Sequence, residues 1–260
     1  VPRLAERLGV VLTVVRTAHE HDVEYPAASL AYYGFVSLFP LLLLVLAVVS
    51  ESTAAQIRAV MPPFLAPEAR RLVSEAAASA TSSGRFGATV LAVAVLAWSG
   101  AMVAVGVLTV VERVEGGDDR PRSERVRGGV SALGSIGLAA LVLVCTIVLL
   151  SSLPTSPLVA LGALVVPLVA LVVAFLPLYY VPSRTVADPT AALPGALTAA
   201  VGWTLLLVGI HLYAVNAGRY AIYGVISGII VVLTSLYLAA FVLLLGFVVN
   251  ATLAERSRTS

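Results

Sequence analysis

Six long apolar stretches alternate with short polar segments along the chain, at about 27–50, 86–111, 130–151, 158–181, 191–215 and 221–253. A helix rising 1.5 Å per residue needs about 20 residues to cross a hydrocarbon core about 30 Å thick, so each stretch predicts a transmembrane α-helix. The last is longer than it needs to be and is expected to tilt or to begin in the interface. Alternating strands of about ten residues are missing from the pattern, and lipid-facing backbone must satisfy its own hydrogen bonds, which leaves helices as the spanning element. Proline marks the joints. Pro154 and Pro157 bracket the connection between the third and fourth stretches, and Pro182 and Pro189 close the fourth and open the fifth. Pro40, Pro167, Pro177 and Pro194 fall within or near the stretches, where each removes one backbone donor and favours a kink.

The flanking segments carry a second periodicity. Leu4, Leu8, Val11, Leu12 and Val15 recur at helical spacing beside Arg3, Arg7 and Arg16, which predicts an amphipathic helix on the inner leaflet. In the segment 51–85, Thr53 to Gln56 has capping-box spacing, and Pro67 opens a second helical run stopped by Gly84. Two short external helices are expected there. No internal repeat and no long linker interrupts the pattern, so residues 1–260 read as a single all-α integral membrane domain. No cleavable signal peptide is expected, since charged and amphipathic residues precede the first stretch.

Composition agrees with a bilayer as solvent. Charged residues make up 12% of the chain against 60% hydrophobic, too few to coat a water-facing surface. Every basic residue is Arg, and position matters more than net charge, which is only +2. Eleven arginines lie before the first stretch, in the second and fourth connections and at the carboxyl end, whereas five lie in the first and last connections. The positive-inside rule then puts both termini in the cytoplasm.

Candidate chemistry is sparse. No His-Glu-x-x-His, Gly-x-Ser-x-Gly or phosphate-loop motif occurs, so no catalytic residue, metal ligand or cofactor site is expected. Cys145 stands alone in an apolar run as a packing residue. Glu112 to Arg127 holds five arginines against five acidic residues and no aromatic, which suits a topology determinant and not a nucleic-acid surface. His19 and His21 sit beside the membrane, whereas His211 lies inside the fifth stretch, where an ionisable group marks either a functional position or an interhelical hydrogen bond.

Two polar stripes remain. Ser29, Tyr33 and Ser37 share one face of the first helix; Tyr223, Ser227, Thr234 and Tyr237 share one face of the last. Facing each other they would line a polar path; the alternative is that the hydroxyls bond their own preceding turn and allow close packing. Asn216 and Arg219, in the last connection, are a candidate contact for a lipid headgroup or other anion.

The run from Pro26 to Tyr33, Pro-Ala-Ala-Ser-Leu-Ala-Tyr-Tyr, followed by Ser37-Leu-Phe-Pro-Leu41, resembles the first-span signature of the YihY/BrkB envelope-protein family. Trp98-Ser99, Gly195-Ala-Leu, Trp203, Tyr223-Gly224, Leu236-Tyr237, Gly246 and Asn250-Ala251 follow in that family's order. The resemblance implies a six-helix cell-membrane protein in contact with membrane lipids. Its function would be export of a lipid or other amphipathic solute, or else a non-transporting structural role in envelope integrity. It also carries an inherited ribonuclease label, which the missing catalytic residues disfavour. Ser235 stands where the family usually has Trp, Val248 where a Glu is frequent and Glu112 where an Asn is usual. Without that Glu, a proton-coupled mechanism loses its obvious carboxylate.

Overall fold

Runs of Leu, Val and Ala leave the backbone no partner but itself, and among the described residues they fold into the long α-helices α1 Glu24–Val48, α2 Ser82–Glu115, α3 Arg122–Ser151, α4 Pro157–Tyr180, α5 Leu193–Val215 and α6 Gly224–Thr259. The computed structural model describes residues 13–14, 16–48, 82–116, 121–151, 157–186, 188–215 and 224–259, and no strand occurs among them. A 3-10 turn, Pro189–Ala192, leads into α5. Among the described residues four segments are long and apolar enough to cross a membrane, Thr89–Glu115, Arg122–Thr146, Pro189–Tyr213 and Gly228–Arg256, and Val165–Tyr180 is a shorter apolar helix. The expected external helices of 51–85 and most of the expected amphipathic segment lie outside the described residues.

Three helices overrun the stretches that announced them. With 34, 30 and 36 residues, α2, α3 and α6 reach about 51, 45 and 54 Å. They continue into the charged residues at 112–115, 122–127 and 255–258, because Glu and Arg are good helix formers and hydropathy alone marks only where lipid stops. Where turns are needed they are capped. Residues 16–20 form a helical turn closed by the bonds Asp22 N to His19 O (3.2 Å) and Val23 N to Ala18 O (3.2 Å). This is a Schellman motif with Asp22 at φ 49 in the left-handed position, from which α1 starts at once. Gly116, at φ 69, ends α2 with its amide on Glu112 O (3.0 Å). Pro40, Pro167 and Pro177 are all carried inside helices.

Each helix packs on the next in sequence, α6 closes back on α1, and α2 also touches α6. Close approaches fix the vertical register: Leu30 against Gly106, Leu236 against Gly34, Leu108 and Pro182 against Gly128, Tyr179 against Gly246, and Asn250 against Gly195. Residues near 24, 112, 124, 180, 195 and 246 therefore share one level. Arg113, Arg122, Arg125, Arg127, Arg184 and Arg256 gather at that end, and Arg256 reaches Thr13 (3.2 Å), joining the amino-terminal segment to α6. Val14 and Ala18 of that segment pack into the core.

The core is concentrated toward the Arg-rich end. Val107, Val110 and Val111 of α2, Leu171, Phe175, Leu178 and Tyr179 of α4, Ala196, Ala199 and Ala200 of α5, and Leu243, Leu244 and Val248 of α6 are buried there. Toward the opposite end most described side chains are half-buried or exposed, as along 32–39, 201–213 and 228–239.

Candidate functional site

The polar residues singled out from the sequence fall into different surroundings. On α1, Ser29 is exposed, Tyr33 sets its ring edge-on to Trp98 of α2 (centroids 5.5 Å apart, 85°), and Ser37 donates to Gly34 O (2.7 Å) in its own helix. The α1–α6 contact beside them is apolar, Leu236 on Gly34. On α6, Tyr237 stacks on Phe241 (6.1 Å, 24°) and packs against the core, and Thr234 is exposed. Ser227 is helical. His211 is exposed on α5, about 24 Å along the helix from Gly195, and His19 and His21 belong to the Arg-rich end. Tyr223, Asn216 and Arg219 lie outside the described residues.

Thr234 opens instead onto a groove between α5 and α6. Its volume is about 530 Å³, and its walls include Gly202, Leu205, Gly209, Tyr213, Ile230, Thr234 and Ser235. The groove follows α6 from Val242 to Ile230, about 18 Å. At the Arg-rich side it is shut: Val242 fills the space a side chain at Gly202 would need, and Trp203 donates its indole N–H to Ala239 O (3.0 Å). Beyond that contact Gly209 and Ser235 set short positions in the wall among Leu205, Leu206, Ile210, Tyr213, Ile230 and Leu238.

The shut end is a polar seam that sequence reasoning missed as chemistry. Tyr179, fully buried in α4, donates its hydroxyl to Leu243 O (2.6 Å) and tilts against Phe247 (4.6 Å). Asn250 accepts from Gly195 N (2.7 Å) and reaches Ala192 O (3.4 Å), so a side chain of α6 caps the start of α5. The positions of contact on α6, Ala239, Leu243, Gly246 and Asn250, step by four, three and four along one face. Gly246 and Asn250 were legible as signature positions without a role. Tyr179 gave no signal, because a Tyr-Tyr pair ending an apolar stretch reads as interfacial aromatics, and that description fits only the exposed Tyr180.

Beyond the seam, charged groups tie the helix ends. Glu115 accepts from Ser183 Oγ, Arg184 N (2.9 Å) and Thr185 Oγ1 (3.1 Å), Arg184 pairs with Glu124 (2.6 Å), and Arg125 pairs with Glu112 (3.3 Å). Four charges of this segment, Glu112, Glu115, Glu124 and Arg125, thus join α2, α3 and the turn after α4. Glu115→Ala is expected to free that turn at about 1–2 kcal/mol, seen as faster hydrogen exchange at Arg184 with the α4 amides unchanged. Unaltered exchange at Arg184 would show that the turn holds without the carboxylate.

Among the described residues no group of three His, Cys, Asp or Glu side chains comes together to hold a metal ion. The model of the family described as "Virulence factor BrkB" matches residues 14–260. The chain is similar to "Putative ribonuclease-like protein YfkH" of Bacillus subtilis (strain 168), 34% identical over 93 residues, which is 35% of this chain and 34% of that protein. The chain thus covers about a third of the length of this curated relative. No solved structure matches it.

Proposed function

Because the chain belongs to the Virulence factor BrkB family, a family of membrane-type proteins, we propose that it moves a lipid or other amphipathic solute within the cell membrane, with the solute's apolar part held in the α5–α6 groove. In this reading all six helices span the bilayer and the Arg-rich end, with both termini, faces the cytoplasm, as the eleven-to-five division of arginines favours. The groove carries the proposal. It lies within apolar helices, is shut toward the Arg-rich side and has hydroxyl-bearing residues at Tyr213, Thr234 and Ser235 in an otherwise apolar wall. Thr234 of the groove, with the candidates Ser227, Tyr223 and His211, belongs to the same proposal as the headgroup's route, and Asn216 and Arg219 as its contact, whereas Ser29, Tyr33 and Ser37 of α1 and Tyr237 of α6 face other neighbours and are left out of it.

A structural role in envelope integrity is the second reading, favoured by the tight seam of Tyr179, Gly246 and Asn250. A ribonuclease reading rests on the name of the Bacillus relative. Phosphodiester hydrolysis calls for metal ligands or an acid–base pair, and the three histidines are divided between opposite ends of the bundle.

The test uses liposomes holding the protein and a trace of headgroup-labelled phospholipid, treated with a membrane-impermeant reductant. The wild type is expected to expose inner-leaflet label, and Gly209→Trp, which places an indole in the groove at a position where an added side chain meets nothing within 4 Å, to slow exposure roughly fivefold or more. Label protected as in protein-free liposomes would leave the structural reading. Equal rates for wild type and variant, with equal melting temperatures, would remove the groove from the path.

A further inference from the structure

At the Arg-rich end, α3, the end of α4 and the turn 181–186 enclose a second groove of about 540 Å³, lined by Arg127, Val130, Ser131, Tyr180, Ser183 and Val186. The carboxylates around it are engaged: Glu112 with Arg125, Glu124 with Arg184, and Glu115 with the turn itself. Arg127 is exposed and has no hydrogen-bond or ion-pair partner among the described residues. The groove therefore carries one uncompensated cation.

The wall below that cation is polar as well. Arg127, Ser131 and Ser135 are four residues apart and share one face of α3. Ser131 donates to Pro177 O (2.9 Å). One turn deeper, outside the groove's lining, Ser135 is 3% exposed and its Oγ has no hydrogen-bond partner among the described residues, so the polar face of α3 continues beneath the groove. Arg127 stands where α3 passes from charged residues into the apolar run that begins at Val130, the level at which lipid phosphates lie.

We infer that this groove binds a phosphate-bearing anion, its phosphate on the Arg127 guanidinium and its apolar part against Val130 and Val186. The guanidinium offers a planar fork of donors that matches two phosphate oxygens, which an ammonium cannot do. The chemistry is common to an anionic phospholipid headgroup and a soluble phosphomonoester. The site is distinct from the α5–α6 groove, and it does not depend on whether that groove carries a solute.

The experiment titrates the full chain, in a nonionic detergent, with phosphatidylglycerol or with phosphatidylcholine of the same acyl chains, and reads the unfolding midpoint. Phosphatidylglycerol is expected to stabilise the wild type more, and Arg127→Gln to weaken its apparent affinity about tenfold. Arg122→Gln, which removes another exposed arginine, outside the groove, is expected to change it less than about twofold. Both variants should melt as the wild type does without lipid. Displacement by sn-glycerol 3-phosphate would support the site with a soluble phosphoester as its ligand, and failure to displace would support it with the lipid. Equal losses in the two variants, or equal stabilisation by both lipids, would overturn the inference.

Discussion

Gly246→Ala should unfold the bundle at a markedly lower temperature than the wild type, with a loss of about 3 kcal/mol, at the upper end of what over-packing a closed interior costs. A Cβ at this position would fall within van der Waals contact of the Tyr179 ring and hydroxyl. The ring has nowhere to retreat: Tyr179 is fully buried, bonded to Leu243 O (2.6 Å) and tilted against Phe247. Gly134→Ala provides the contrast, because nothing lies within 4 Å of its added methyl. There the gain in helix propensity, up to about 1 kcal/mol, should leave stability equal or slightly raised. Thermal unfolding in detergent or nanodiscs reads both. Truncating the ring in Gly246→Ala/Tyr179→Leu should recover part of the loss, since residues in contact do not contribute additively. If the two glycine variants melted together, the seam would be looser than its geometry states.

The helices were legible because lipid leaves a long apolar run only one way to satisfy its backbone, and α1, α4 and α5 begin and end within a few residues of where hydropathy changes. Their ends were less legible. Glu112 to Glu115 and Arg122 to Arg127 read as a loop by charge, yet they are helical and cross-linked. Hydropathy registers the solvent, not the hydrogen bonding of a charged helix that has left the membrane. The polar residues were harder still. Periodicity put Ser29, Tyr33 and Ser37 on one face, but it says nothing of the neighbour, and Tyr33 meets Trp98 of α2. Thr234 and Leu236 are two positions apart, so they point to nearly opposite sides of α6, the first into the α5 groove and the second onto Gly34 of α1. Which side faces which helix is decided by small residues, Gly34, Gly195, Gly202 and Gly246, that carry almost no hydropathic signal of their own. The family resemblance covered this gap in part, for Gly195, Trp203, Gly246 and Asn250 all meet in the shut end of the bundle.

That convergence gives Asn250 a weight its neighbours lack, and Asn250→Leu is expected to lower stability by about 1–2 kcal/mol. The leucine is close in volume and apolar, so the loss comes from hydrogen bonding. Gly195 N, near the start of α5 where amides have no partner in their own helix, donates to Asn250 Oδ1 (2.7 Å). With the amide side chain gone, a donor in a dry interior goes unmet, which costs about 1–3 kcal/mol. The lower half of that range is the better expectation, because interhelical side-chain bonds measured in membranes average about 0.6 kcal/mol and reach about 1.7. Thr252→Val is the matched control. Thr252 is buried to the same degree, 4% exposed as Asn250 is, but its hydroxyl bonds Val248 O (2.8 Å) in its own helix, so removing it strands no other group. A shift under about 0.5 kcal/mol is expected. Hydrogen exchange separates the causes: Asn250→Leu should speed exchange at Gly195 and the first turn of α5 while the middle of α6 keeps its protection. Faster exchange throughout α6, or a Thr252→Val effect as large as that of Asn250→Leu, would mean that Asn250 serves packing alone and that α5 is capped in some other way.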